Sequence, residues 1–217
     1  MTGRIVIADD HPLMRAAVRA SVEKVWPDSE IVEVADAASA RREAEAGNVE
    51  LLSLDLHMTD SAGLQTLLDL RRDFPAMPIV IVSASEEPRV RRSAKELGAS
   101  AFIPKTASLP VMREALAAVR EGDIWFPDDG TGAEVEETAP DDDVARLARL
   151  TPAQRRILAL VAQGLLNKQI AHEMQISEAT VKAHMTAIFR RLGVVNRTQA
   201  VLIAKQLDIA APPAAEH

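Results

Sequence analysis

The sequence predicts a doubly wound α/β domain on a five-stranded parallel sheet, followed by an all-α domain of four helices. Three observations carry this expectation. Short β-branched runs alternate with amphipathic stretches through residue 121, the pattern turns wholly helical from Leu150, and the charge balance reverses between the two parts. Residues 1–149 hold 17 Lys and Arg against 28 Asp and Glu, whereas residues 150–208 hold 8 against 3. An acidic front and a basic back point to two units, the second with a polyanionic partner.

The first unit reads element by element. Ile5-Val6-Ile7-Ala8 is a buried strand and residues 12–25 a helix. Residues 31–34 are a second strand with a helix over 38–46, and residues 51–54 a third with a helix over 63–74. Ile79-Val80-Ile81-Val82 precedes a helix over 88–97, and Ala101-Phe102-Ile103 precedes one over 109–121. Strands that are apolar throughout and separated by helices belong to a parallel sheet covered on both faces. Five such repeats fit a flavodoxin-like domain over residues 1–121.

From Gly122 the composition shifts. Nine carboxylates and no Lys or Arg lie between Gly122 and Val144, so residues 122–149 read as an acidic linker. Trp125 and Phe126 are expected to pack back on the first domain. Thr151-Pro152 opens a helix that stops at Gly164. Asn167, Ser177 and Asn196 are candidate caps for three more, and Gly193 a C-terminal stop. Residues 150–208 form the second domain, and 209–217 a flexible Ala/Pro tail.

Composition also excludes classes of function. The absence of cysteine rules out disulfides and thiolate metal sites. No apolar run approaches a membrane span, and the N-terminus lacks signal-peptide features. A cytoplasmic protein without a membrane partner is the expectation.

In open α/β sheets, ligands sit beyond the carboxyl ends of the strands. Strand one ends in Asp9-Asp10, strand three in Asp55 and strand four in Ser83, while strand five precedes Lys105. Three carboxylates held close repel, and Mg²⁺, a hard cation that prefers oxygen ligands, relieves that repulsion. With the metal present, one carboxylate can attack phosphorus while metal and Lys105 neutralise the developing charge. Ser83 can donate a hydrogen bond to the acyl phosphate so formed.

Residues 3–121 resemble the receiver domains of response regulators. The resemblance rests on Asp9-Asp10, Leu54-Asp55-Leu56-His57-Met58, Gly63, Ser83-Ala84, Phe102 and Lys105. It implies that Asp55 accepts phosphate from a sensor histidine kinase, and that Asp9, Asp10, Asp55 and the backbone carbonyl of His57 hold Mg²⁺. It also implies that Ser83 moves toward the phosphoryl group, Phe102 is an aromatic switch, and Lys105 pairs with phosphoryl oxygens. Thr59 stands where the family usually has Pro, which removes a φ constraint beside the acceptor. An enzyme of the haloacid-dehalogenase type also forms an aspartyl phosphate, but it carries a carboxylate where this chain has His57, and it leaves residues 150–207 unexplained. A pseudo-receiver that binds DNA without phosphorylation is the remaining alternative.

In the second unit, Asn167–Met174, Gln175-Ile176 and Ser177–Leu192 have helix-turn-helix spacing. Val181, Met185, Ile188 and Leu192 form the core stripe of the longer helix. Ala179, Ala183, Thr186 and Arg190 lie opposite, flanked by Lys182, as a helix entering a major groove requires. Ser177 and Thr180 are placed to meet phosphate, and His184 reads as a packed histidine. Residues 150–207 resemble the LuxR-type helix-turn-helix through Leu150-Thr151-Pro152, Gln163-Gly164, Asn167–Ala171, Ser177–His184, Leu192-Gly193-Val194 and Asn196-Arg197. Gln154 replaces the family's usual Glu, and Leu166 its usual Ser or Thr. Together the two resemblances imply a NarL/FixJ-type transcription regulator, not an enzyme, which binds double-stranded promoter DNA and forms a homodimer when phosphorylated.

Overall fold

The structure, a computed structural model, describes residues 3–127, 146–147 and 149–206. Strands β1 (Arg4–Ala8), β2 (Glu30–Val34), β3 (Val49–Leu54), β4 (Ile79–Ser83) and β5 (Ala101–Pro104) form one parallel sheet in the order β2-β1-β3-β4-β5. Between and after them run α1 (Pro12–Val25), α2 (Ala37–Glu45), α3 (Leu64–Asp73), α4 (Pro88–Glu96) and α5 (Leu109–Arg120).

Alternate strand residues feed opposite layers. Ile5, Ile7, Leu51, Val80 and Val82 pack with α1 and α5 through Val18, Val22, Met112 and Leu116. Val6, Leu52, Leu54, Ile79 and Ile81 pack with α2, α3 and α4 through Ala40, Leu67, Leu70 and Ala94. Every β4 residue is therefore buried, which explains strands without polar alternation. The order places the chain reversal between β1 and β3, so a crevice opens beyond their carboxyl ends. Asp9 and Asp55 follow those two strands, and the Asp55 N–H donates to the Ala8 carbonyl at 2.9 Å.

Trp125 and Phe126 return to this domain, as expected. Trp125 N–H donates to the Ser100 carbonyl and its own carbonyl accepts from Phe102, adding a parallel bridge beside β5. Lys95 Nζ stands 5.6 Å from the Phe126 ring centroid. The acidic stretch 128–145 and the tail 209–217 lie outside the described residues.

The second domain packs α6 (Pro152–Ala162), α7 (Asn167–Glu173), α8 (Glu178–Leu192) and α9 (Arg197–Gln206). Thr151 caps α6 by a reciprocal box with Gln154, and Pro152 stands at its first position. Ser177 Oγ accepts from Thr180 N–H at 3.0 Å, and Gly193 ends α8 at φ 69°. Asn196 Oδ1 accepts from Gln199 N–H at the start of α9. One cap differs from expectation. Leu166, not Asn167, is the N-cap of α7; Gln169 Oε1 accepts the Leu166 N–H at 2.7 Å. With that donor satisfied, Asn167 Oδ1 is used instead by Arg197, at 3.1 Å.

Candidate functional site

The crevice at the end of β1 and β3 gathers the residues that the sequence singles out. Asp55 is fully buried and Asp9 nearly so. Lys105 Nζ reaches both, at 2.7 Å from Asp55 Oδ2 and 2.8 Å from Asp9 Oδ2. Burial opposes the charge on Lys105, but its hydrogen bonds to Asp55 and Asp9 outweigh it and raise its pKa. The other oxygens are held by backbone: His57 N–H donates to Asp55 Oδ1 at 3.0 Å, and His11 N–H to Asp9 Oδ1 at 2.8 Å. Ser83 is buried, and its Oγ lies 3.3 Å from His57 Nδ1. Its carbonyl accepts from Lys105 N–H, which fixes β4 and the β5 loop at the same rim. Phe102 is fully buried beneath.

Asp9, Asp10, His11 and Asp55 each offer a ligand atom, all within 4.8 Å of one another. The set is dominated by hard carboxylate oxygens, which suits Mg²⁺ better than a soft metal. Two contacts of Asp10 escaped the sequence reading, which noted Thr59 only for the proline it replaces. His11 Nδ1 lies 2.6 Å from Asp10 Oδ1, and Thr59 Oγ1 donates to Asp10 Oδ2 at 3.4 Å. Desolvation pushes the Asp10 pKa up, but His11 and Thr59 outweigh it and leave it lowered. Thr59 thus replaces the stiffness of a proline by a side-chain tie across the crevice. A hydroxyl four residues beyond the acceptor is the sequence signal for it.

Helix α8 shows the core stripe that the periodicity predicts: Val181, Met185, Ile188 and Leu192 are buried. On its opposite face Ala179, Lys182, Thr186 and Arg190 are exposed and Ala183 is half-buried. Lys182, Thr186 and Ala183 line a cleft of about 420 Å³ whose other wall is Trp26, Glu50 and Glu121 of the first domain. Arg190 pairs with Asp123. Ser177 and Thr180, expected to face phosphate, are buried instead; their hydroxyls bond each other at 3.0 Å, and Ser177 Oγ donates to Glu50 Oε1 at 3.4 Å.

The seam holds two further contacts. His184 Nε2 lies 3.1 Å from the Ala76 carbonyl; packing with one hydrogen bond matches expectation, but its partner is in the other domain. Gln154 is buried, with Nε2 donating to the Gly122 carbonyl at 3.0 Å and Oε1 accepting from Thr151 N–H and Arg191. The departure from Glu at Gln154 therefore keeps the Arg191 contact and adds a donor that Glu lacks. Ala76, Gly122 and Asp123 carried no sequence signal, because their role is made by backbone carbonyls and by which face the second domain presents.

Comparison with known proteins agrees with both halves. The model for the response regulator receiver domain matches residues 5–117, and that for bacterial regulatory proteins of the luxR family matches residues 148–204. A glycerol metabolism activator of Pseudomonas putida is 37% identical over 215 residues, covering 96% of this chain and 97% of that one. The nitrate/nitrite response regulator protein NarP of Escherichia coli K12 is 35% identical, covering 94% of each. A crystal form of the RcsB response regulator from Salmonella typhimurium shares the fold, with TM-score 0.54, 23% identity, and coverage of 94% of this chain and 98% of that one. A carboxylate crevice at the switch point of a parallel sheet, joined to a helix-turn-helix with a basic helix, identifies the chain as a member of the response regulators of NarL type, with a receiver domain and a LuxR-type DNA-binding domain.

Proposed function

We propose that this chain is a transcription regulator, not an enzyme, that Asp55 receives a phosphoryl group from a sensor histidine kinase, and that this event controls its grip on promoter DNA. The supporting observation is the convergence on Asp55 of Lys105, the His57 N–H and two further carboxylates. A carboxylate oxygen of Asp55 attacks phosphorus, the bond from phosphorus to the donor imidazole breaks, and the imidazole leaves with that electron pair. Asp9, Asp10, Asp55 and the His57 backbone carbonyl would hold Mg²⁺, which screens the charge between carboxylate and phosphoryl oxygens. Lys105 exchanges an Asp55 oxygen for a phosphoryl oxygen, and Ser83 donates its hydroxyl to another; Phe102, the expected aromatic switch, is already fully buried before that event and so has no inward turn left to make.

Before that event the receiver flanks α8. Lys182, Thr186 and Arg190 are exposed, but Trp26, Glu50 and Glu121 stand across a cleft of about 420 Å³ from Lys182, Ala183 and Thr186, too narrow for a duplex, so this face cannot seat in a major groove while the seam is closed. Phosphorylation opens the seam, frees Ser177 and Thr180 for phosphate contact, and lets two copies assemble on two half-sites. The working division is receiver 1–121, linker 122–149, DNA-binding domain 150–208 and tail 209–217. DNA as partner sets the cytoplasm as its place; no helix among the described residues is long and apolar enough to cross a membrane. Incubation with a small phosphodonor and Mg²⁺ tests the reading: the chain gains the mass of one phosphate, and Asp55→Asn does not. A gain of equal size in Asp55→Asn would contradict it.

A further inference from the structure

The loop that follows the acceptor closes on itself as a turn. Ser61 N–H donates to the Met58 carbonyl at 2.9 Å, which places Thr59 and Asp60 at the two central positions. Proline is favoured at the first of these because its ring presets φ, and Thr59 occupies that place without the ring. Both central residues are exposed, yet both side chains reach out of the turn. Thr59 Oγ1 donates to Asp10 Oδ2 at 3.4 Å. Asp60 is held more tightly: Ala37 N–H donates to both of its oxygens, at 2.9 and 3.0 Å, and Ala38 N–H to Oδ2 at 3.2 Å.

Ala37 and Ala38 open α2, and the first N–H groups of a helix have no partner within it. A carboxylate is favoured there by those donors and by the helix dipole. Helix α2 already has a cap of its own, however: Asp36 accepts from Ser39 N–H at 2.6 Å and from Ser39 Oγ at 2.8 Å. The second carboxylate arrives from a loop 22 residues beyond Ala38, so it joins two segments rather than only ending a helix. Helix α2 is itself seated on the sheet through the buried Ala40 and Ala44. The far end of the loop is held by α3, where Thr66 Oγ1 accepts from Ala62 N–H at 3.1 Å. Asp60 therefore ties down the middle of a loop whose first residues face the chemistry. His57 N–H donates to Asp55 Oδ1 at 3.0 Å, and the His57 carbonyl directly precedes the turn.

We propose that Asp60 is a positioning residue for phosphoryl transfer to Asp55, holding the turn 58–61 against α2 and supplying the constraint that a proline would supply at Thr59. The proposal rests on the phosphorylation of Asp55 put forward above. With the turn held, the His57 N–H and carbonyl keep their places before metal or phosphodonor arrives, and less ordering is needed on binding.

Amide hydrogen exchange on the full-length, metal-free protein reads the turn directly. In Asp60→Ala, exchange at His57 and Ser61 should be about fivefold faster. Initial phosphate gain from acetyl phosphate should slow several-fold at low Mg²⁺, and more Mg²⁺ should be needed for half the maximal rate. Asp36→Ala removes the other cap of the same helix and should leave both readouts near those of the wild type, which separates the turn from the stability of α2. Thr59→Pro added to Asp60→Ala should restore both, since Thr59 lies outside the left-handed region and a proline ring fits its place in the turn. Unchanged exchange and rate in Asp60→Ala, an equal effect of Asp36→Ala, or no recovery with Thr59→Pro each overturns the proposal. If the wild type gains no phosphate at Asp55, the preceding reading fails, and exchange in the metal-free protein still decides whether Asp60 holds the turn.

Discussion

Gln154 Nε2 donates to the Gly122 carbonyl at 3.0 Å, a fully buried hydrogen bond that joins the DNA-binding domain to the turn directly after α5 of the receiver. The same side chain accepts from Arg191 on α8 and from its own helix cap. One amide thus couples the cap of α6, the recognition helix and the receiver. Gln154→Glu replaces the donor by an oxygen facing a carbonyl. Loss of a buried hydrogen bond costs about 1–3 kcal/mol, so the unphosphorylated variant should bind promoter DNA roughly tenfold or more tighter in fluorescence anisotropy. Unchanged affinity would show that the bond does not hold the seam.

Gly122 supports the same contact by its size. It adopts φ +80°, and a Cβ there would stand 2.8 Å from the Ala183 carbonyl of α8. Gly122→Ala is therefore both strained in place and too large for the seam. Energy transfer between a cysteine pair, one on each domain of this cysteine-free chain, should fall; retention of the wild-type value would mean that α8 does not rest on Gly122.

His184 makes closure sensitive to acid. Its pKa is about 4 in the closed form because burial disfavours the charged ring, against about 6.5 for a free imidazole; Arg71 and Arg191, both cationic, act in the same direction, while the Ala76 carbonyl opposes them. The closed form binds fewer protons, so lowering pH through 6.5 toward 4 favours opening. Between pH 7.5 and 5.5 the open-to-closed ratio should rise about tenfold, read by the same energy-transfer pair. His184→Gln, neutral throughout, should flatten the profile, and an equally steep profile in that variant would assign the effect elsewhere.

Lys105 balances the carboxylates of the crevice. A raised lysine pKa contributes stability that is complete at neutral pH and lost only as pH rises through the raised value. Lys105→Ala leaves Asp9 and Asp55 buried without their cation, so its Tm without metal should fall by several degrees. Mg²⁺ should then recover more Tm than it adds to the wild type, because nothing competes for the same oxygens. Equal increments would separate the metal from these carboxylates.

Lys182 tests the groove face. Lys182→Ala should weaken DNA binding by the phosphorylated protein and relax base preference at one position. Equal loss on all sequences would make Lys182 a phosphate contact alone.

The sheet was legible because its central strands are apolar on both faces, so that Ile79–Val82 has no other way to be buried, whereas β2 at the edge keeps Glu30 and Glu33. Helix α8 was legible from the stripe Val181, Met185, Ile188 and Leu192. The crevice could be read because a parallel sheet puts Asp9, Asp55 and Ser83 at one edge whatever the loops do. The seam could not. Ser177 and Thr180 look like phosphate contacts from their place at a helix start, and only the docking of α8 beside Glu50 turns them inward. The α7 cap failed for a local reason: Gln169 reaches back to Leu166, which the pattern of Asn167 conceals.

The central claim is that phosphorylation of Asp55 releases α8 from the receiver. Promoter affinity measured on one preparation before and after treatment with phosphodonor and Mg²⁺, alongside Asp55→Asn, tests it most directly. A rise in affinity of at least tenfold, with loss of energy transfer between the domains, both absent in Asp55→Asn, is the predicted result. Phosphate incorporated at Asp55 with affinity and energy transfer unchanged would contradict it.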